Sequence, residues 1–366
     1  MLKGFKLFVT GCLVVCVFFA AVVVRKDLAR HFSDKEGVIM EAKFASFSSD
    51  MHPNSTEKFL TQNSTDKILV NACPDKFKQP LTGRAQLLQD LSAKRSVRLK
   101  LNPKRIYTEK VVIMTPISNA VNQLRGYFRN LCRLTYPHHL ISIALIEDSS
   151  TDNTYNLALE SLKVLQKHFA RVSLFKRQDR LDKNNALYRH DMGYQLKRRG
   201  HLAKSRNSLL SRGLVNETWV LWMDSDVQFI PSDLIEQLFA ADKDIVVPSC
   251  MFKSGNTIDV YDKNTWKDTD TAKKFLEDKG NEFLMLEGYG PPMRSYLNKL
   301  KNKGNIVEID GVGGCVLLIK ADLHRNGLVF PPYIYKNHIE TEGLAKMAQD
   351  MGFKIYGLPN FEVFHE

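Results

Sequence analysis

Val220-Leu221-Trp222-Met223-Asp224-Ser225-Asp226 is the stretch on which the reading of this chain turns. Four apolar residues predict a buried strand, and the two acids that follow are two positions apart. Residues i and i+2 of an extended segment point the same way, so Asp224 and Asp226 are delivered together at one sheet edge. Hard cations such as Mn²⁺ or Mg²⁺ take oxygen ligands from one or two carboxylates and from substrate phosphates. A metal held there would grip a diphosphate. The plainer reading is an exposed Asp-x-Asp turn that ends a strand.

Working outward, strands and helices alternate. Val111–Met114, Ile141–Ile146, Val172–Phe175, Trp219–Met223, Ile245–Val247 and Cys315–Ile319 read as strands. Asn119–Leu134, Asn153–Phe169, a long basic region Asn184–Arg212 and Pro231–Ala240 read as helices. This patterning predicts an α/β fold with a mainly parallel, Rossmann-like sheet flanked by helices, and ligands outside the carboxyl ends of the strands. Glu147-Asp148-Ser149-Ser150-Thr151-Asp152 is a second acidic strand end, suited to hold a base or ribose or simply to turn and cap the next helix. Residues 252–306, richer in charged and turn residues, suit an insertion or lid.

Leu7–Val24 is an eighteen-residue run without charge, flanked by Lys3, Lys6, Arg25 and Lys26. It would reach about 27 Å as a helix and reads as a signal anchor, with a cleaved signal peptide as the rival. The domain reading is a cytosolic tail (1–6), a transmembrane anchor (7–24), a polar stem (25–105) with a short helix near Gln86–Leu99, and a catalytic domain (106–366). Sequons at Asn54, Asn63 and Asn216 favour a lumenal body. Cys73, Cys132, Cys250 and Cys315 would then lie in an oxidising compartment with three pairings open, although Cys250 and Cys315 also fit buried thiols. The net charge of +12 suits a body that handles phosphates, but the aromatics do not interleave with the basic residues, so no nucleic-acid partner is expected.

Further candidates follow from residue type and place. Arg206 would set a guanidinium against a diphosphate, and His365, ending an apolar segment, would complete a metal site. Asp310-Gly311-Val312-Gly313-Gly314 would let backbone approach a sugar or phosphate. Glu340 and Glu342 would bind acceptor hydroxyls or take a proton, although helix first turns favour Glu in any case.

Thr115-Pro116, Glu147–Asp152, Ala203–Asn207, Trp219–Asp226, Asp310–Gly314, Lys320–Arg325, Ile339–Met347 and Tyr356–His365 together resemble the fungal mannan-polymerase subunits, α-mannosyltransferases of glycosyltransferase family 62. The resemblance covers roughly residues 110–366. It implies a GT-A fold, GDP-mannose as donor, Mn²⁺ (or Mg²⁺), and extension of the α-1,6-mannan backbone of N-glycan outer chains. It also implies a hetero-oligomeric Golgi complex with related subunits; with the anchor and sequons, the expectation is a single-pass type II protein of the cis-Golgi membrane, with the endoplasmic reticulum as the other candidate compartment. By the same resemblance Asp224, Asp226 and His365 hold the metal, Arg206 meets the diphosphate, and Thr115, Pro116 and Asp148 lie near the guanosine. An α-linked donor giving an α-linked product means retention, for which Asp310, Glu340 and Glu342 are the carboxylates in question. The rival readings are a weakly active scaffolding subunit of a mannosyltransferase complex and, less compatible with an anchor, a nucleotidyltransferase.

Overall fold

The computed structural model describes residues 73–78, 80–81, 83–177, 192–286 and 292–366. The expected anchor, the Asn54 and Asn63 sequons, most of the stem and the first part of the basic helical region lie outside them. Among the described residues no helix is long and apolar enough to cross a membrane.

In chain order, α1 (Asp75–Lys78) and α2 (Gly83–Arg95) precede β1 (Val111–Ile117), α3 (Leu124–Cys132), β2 (Ile141–Asp148), α4 (Thr154–Leu165), β3 (Arg171–Arg177) and α5 (Met192–Gly213). There follow β4 (Trp219–Met223), β5 (Val227–Phe229), α6 (Leu234–Ala240), β6 (Ile245–Ser254), β7 (Thr257–Val260), β8 (Trp266–Asp268), α7 (Asp270–Glu277) and β9 (Arg294–Tyr296). The chain continues through β10 (Val307–Ile309), β11 (Val316–Lys320), α8 (Ala321–Arg325), α9 (Glu340–Asp350) and β12 (Ile355–His365).

Ten strands form one sheet in the order β10-β12-β6-β11-β4-β1-β2-β3, with β5 added to β12 and β7 to β6. From β3 through β2 and β1 to β4 the strands are parallel, with their central residues buried on both faces. The sheet as a whole is mixed: β11 runs antiparallel between β4 and β6, and β10 antiparallel beside β12. An apolar run buried on both faces reads the same in either direction, so the sequence does not reveal this reversal.

Alternate strand residues feed two cores. Val111, Ile113, Ile143, Leu145 and Leu221 pack with α3, α4 and α6. Val112, Met114, Ala144, Val220 and Trp222 pack with α5 and α9.

Within the stretch read as stem, α2 packs on the sheet against β5 and β12. Leu88 is fully buried in a cluster with Phe229, Met251 and Phe364. Arg95 makes a two-pronged pair with the buried Glu362 of β12 (2.7 and 2.9 Å), which also receives Lys301 at 2.6 Å. Cys73 is disulfide-bonded to Cys132 at the end of α3, a closure worth about 4 kcal/mol in chain entropy. Cys250 and Cys315 are likewise paired with each other, which removes the buried-thiol reading. Asn216 is exposed.

The described residues of the 252–306 stretch are not a free flap. They hold the β6–β7 hairpin and the small β8–β9 sheet, and Trp266 and Arg294 are buried within them.

Three buried histidines are held neutral by desolvation. His138, stacked on Phe169, and His324 are pushed down to about 4, and His338 to about 3. His324 accepts from Trp222 Nε1 (3.2 Å) and lies 2.7 Å from Leu328 O, so its Nδ1 carries the proton. The unfolded chain takes up protons here that the fold refuses. The stability that these three rings contribute should therefore be full above pH 6.5 and fall toward pH 4, by up to roughly 1.4 kcal/mol per pH unit for each histidine. Urea unfolding of the chain beside His324→Gln across this range isolates one ring's slope from that of the carboxyls; a difference between the two that does not change with pH would mean the ring accepts a proton in place.

Candidate active site

β4 carries the chain to Met223, and the backbone turns at once. Asp224 N–H donates to Cys315 O (3.1 Å) and Val227 N–H to Asp224 O (3.4 Å), leading into β5. β5 pairs antiparallel with the end of β12, with His365 opposite Val227. That register sets the imidazole beside the second acid, with Nε2 2.8 Å from Asp226 Oδ1. Tyr261 stacks on the ring at 3.5 Å and 10°. Burial disfavours the imidazolium, but the Asp226 carboxylate more than offsets it and raises His365 above its ordinary pKa.

Asp224 faces the other way, toward α5. Arg206, only 5% exposed, places Nη2 2.9 Å from Asp224 Oδ1 and pairs through Nη1 with Glu340 Oε1. Those two acids outweigh the burial cost and keep the guanidinium firmly charged. Desolvation pushes Asp224 up to about 7 despite Arg206, with Asp226 and Glu340 adding repulsion. Glu340, first residue of α9, has a left-handed φ of +57°, costly without a glycine, and its carboxylate lies on Arg206.

The other two candidate carboxylates are held elsewhere. Glu342 is fully buried and receives Trp266 Nε1 (2.8 Å), Arg294 Nη1 (2.9 Å) and Arg199 Nη1 (3.3 Å). Asp310 is half-buried and accepts from the Asp268 N–H (2.8 Å) and Gln349 Nε2 (3.2 Å).

The glycines after Asp310 admit side chains of this same chain. A Cβ on Gly311 would lie 2.4 Å from Trp266, one on Gly313 2.1 Å from Asp262, and one on Gly314 2.2 Å from Arg206. Asp262 itself accepts from Thr265 Oγ1 (2.7 Å) and the Asn264 N–H (3.0 Å), and burial with Glu342 and Glu340 nearby pushes it up to about 6.

At the neighbouring strand ends the expected base-binding residues stand on the paired strands β1 and β2. Thr115 is buried, its hydroxyl shared between Tyr127 Oη and Met223 O (both 2.7 Å), while Pro116 is only partly buried. Glu147 and Asp148 belong to β2 and are buried, not looped out. Asp148 is paired with His201 (2.9 Å) and Arg177 (2.8 Å), and the hydrogen bonds and positive charge they bring outweigh burial to lower its pKa. Asp152 supplies the cap, accepting from the Thr154 N–H at 3.0 Å.

No three His, Cys, Asp or Glu side chains among the described residues converge in metal-binding geometry as they stand. The donor set nonetheless fits a hard divalent cation. Asp224 and Asp226 are 34% and 41% exposed, and His365 adds an imidazole nitrogen 2.8 Å from Asp226.

The family model described as Anp1 matches residues 98–334. This chain belongs to the Anp1 family. It is 38% identical over 272 residues to the mannan polymerase complex subunit mnn9 of Schizosaccharomyces pombe, a match covering 70% of this chain and 80% of that protein. To the mannan polymerase II complex ANP1 subunit of Saccharomyces cerevisiae it is 30% identical, spanning just over half (55%) of that relative's length. Among solved structures, a mannosyltransferase of Pyrobaculum calidifontis in complex with GDP-Man and Mn²⁺ is similar at a TM-score of 0.45 and 15% identity, covering 82% of this chain and 68% of that one.

In this Anp1-family chain the sequence reading missed Asp262, Tyr261, Trp266 and Arg294, all from the 252–306 segment. No periodicity marks them, because each is placed by a tertiary contact. Arg177 and His201, which hold Asp148, are equally silent in sequence.

The glycine packing is testable. Gly314→Ala should destabilise the protein by about 1–3 kcal/mol through overpacking against Arg206. Gly280→Ala, whose Cβ would meet nothing within 4 Å, should be near neutral in the same denaturation experiment.

Proposed function

We propose that this chain is a GT-A-type, GDP-mannose-dependent α-1,6-mannosyltransferase subunit that extends the mannan backbone of N-glycan outer chains with retention. The observation that carries this reading is the acid pair Asp224/Asp226 at a strand end, bracketed by the buried Arg206 on one side and His365 on the other. The relatives named as mannan polymerase complex subunits support the sugar and the assembly with related chains. The sequence features support a type II protein anchored through residues 7–24 in the Golgi membrane, most naturally the cis-Golgi, with a lumenal catalytic body.

Asp224, Asp226 and His365 would hold the Mn²⁺, and its charge would supply neutralisation of the diphosphate leaving group. Arg206 would add a fixed positive charge at the same leaving group, already oriented by Asp224 and Glu340 and so needing no reorganisation. Pro116 and Asp148 would border the guanosine, with Thr115 beneath them holding β1 to β4.

Retention calls either for a protein nucleophile or for attack from the leaving-group face. Glu340 is paired with Arg206, Glu342 with Arg294, Arg199 and Trp266, and Asp310 with two donors. Carboxylates so engaged are poor nucleophiles, which favours same-face attack by the acceptor hydroxyl.

The test is mannose transfer from GDP-mannose to α-1,6-mannobiose by the purified chain, with Mn²⁺ or chelator, the linkage read by NMR. Metal-dependent α-1,6 product that falls at least a hundredfold in Asp224→Ala/Asp226→Ala is expected. Product that appears only when a related subunit is added, and is insensitive to the double substitution here, would make this chain a scaffold instead.

A further inference from the structure

A cavity of about 330 Å³ lies between α2, α3 and β5 and reaches Asp226. No residue of α5, which carries Arg206, lines it. Its wall is basic: Arg84 comes from α2, and Arg125 and Arg129 from successive turns of α3. Arg133 continues the stripe at the same spacing, so like charges follow one another at i, i+4 and i+8, an arrangement that is repulsive in isolation.

Arg84 and Arg133 satisfy themselves on neutral oxygens, Arg84 on Gln228 Oε1 (2.7 Å) and Lys253 O (2.9 Å), Arg133 on Gln89 Oε1 (2.9 Å). Arg129 has neither a hydrogen bond nor an ion pair among the described residues, and its Nε is buried without an acceptor. Burial and then its neighbours Arg133 and Arg125 lower its hold on the proton. The cavity's two acids are already engaged, Asp226 by His365 (2.8 Å) and Glu366 by Gln123 Nε2 (3.0 Å). A partly buried guanidinium whose Nε meets no acceptor is costly, and an anion in that cavity removes the cost.

We propose that this cavity is a phosphate site separate from the place of the nucleotide diphosphate. The Arg129 fork is its principal ligand, with Arg84 and Arg125 supplying flanking charge. Guanidinium geometry matches two phosphate oxygens at once, which singles out a phosphate or phosphate monoester over a halide. Two sources present that chemistry: free inorganic phosphate, and a phosphate ester borne on a glycan acceptor. The second rests on the transferase reading, whereas the first stands without it.

The test is thermal unfolding of the full chain in inorganic phosphate against chloride at matched ionic strength. Phosphate should raise the midpoint by a few degrees through binding to the folded state, and saturating GDP should leave that rise intact. Arg129→Gln should abolish the response. At Gly126, which lines the cavity and where a Cβ meets nothing within 4 Å, Gly126→Glu offers Arg129 a carboxylate three residues away. That variant should melt higher without phosphate and no longer respond to it, while Gly126→Gln still responds.

A phosphate response that survives Arg129→Gln, disappears under GDP, or is absent from the wild-type chain overturns the proposal. Mannose 6-phosphate binding at least tenfold tighter than inorganic phosphate would assign the site to an acceptor-borne ester; equal affinity would assign it to the free ion. Either result requires that Arg129→Gln remove both.

Discussion

The buried guanidinium of Arg206 is the constraint around which the site is built. A charge that is 5% exposed is tolerable only when paired, and its partners come from distant parts of the chain, Asp224 after β4 and Glu340 at the start of α9. Removing one partner of such a cluster typically costs 3–5 kcal/mol, because a buried charge is left uncompensated. The surrounding backbone is correspondingly specific. Gly314 leaves room for the guanidinium, and Glu340 accepts a left-handed φ while lying on it. Electrostatics thus ties α5, β4, β11 and α9 together at the strand end where the acids emerge.

The opposite side of the acid pair depends on the long β12. Its pairing with β6 breaks register between Leu358 and Glu362, a stretch that includes Pro359, which cannot donate to a ladder. Beyond the break the strand resumes and continues to β5. A one-residue slip there would turn His365 away from Asp226. Glu362 guards that register, since its buried carboxylate is fixed by Arg95 from α2 and by Lys301. Segments far from the acids in sequence therefore decide where the imidazole stands.

Much of this was legible in the sequence, for identifiable reasons. The strands β1, β2, β4 and β6 carry continuous apolar runs, and the acids that follow β4 stand out against them. Helix starts were less legible. The periodic pattern from Asn119 forms helix only from Leu124, because Asn119 adopts a left-handed φ and its side chain accepts from the Thr151 N–H instead. The glycines at 311, 313 and 314 were visible as a need for close approach, but not what approaches. Trp266, Asp262 and Arg206 fill those places, and the first two come from a segment whose composition resembles loop. A buried Arg294 under Trp266, at 4.3 Å from the ring, has no signature in a single sequence.

The Cys250–Cys315 disulfide shows how a covalent link outside the acids can fix their geometry. The carbonyl of Cys315 accepts from Asp224 N–H, and the carbonyl of Cys250 accepts from the N–H groups of Tyr261 (3.0 Å) and Asp262 (3.3 Å). One bridged pair therefore holds the backbone of the first metal-candidate acid, of the ring stacked on His365, and of the acid under Gly313. β11 and β6 are already neighbours through only two paired positions, Leu318–Val246 and Ile319–Ile245, so their ends near the site would otherwise be free to splay. The disulfide closes that gap on the side where the ligand-bearing residues lie. In this arrangement the cleft owes its shape less to the acids themselves, which repel one another, than to the backbone carbonyls that hold them in place against that repulsion.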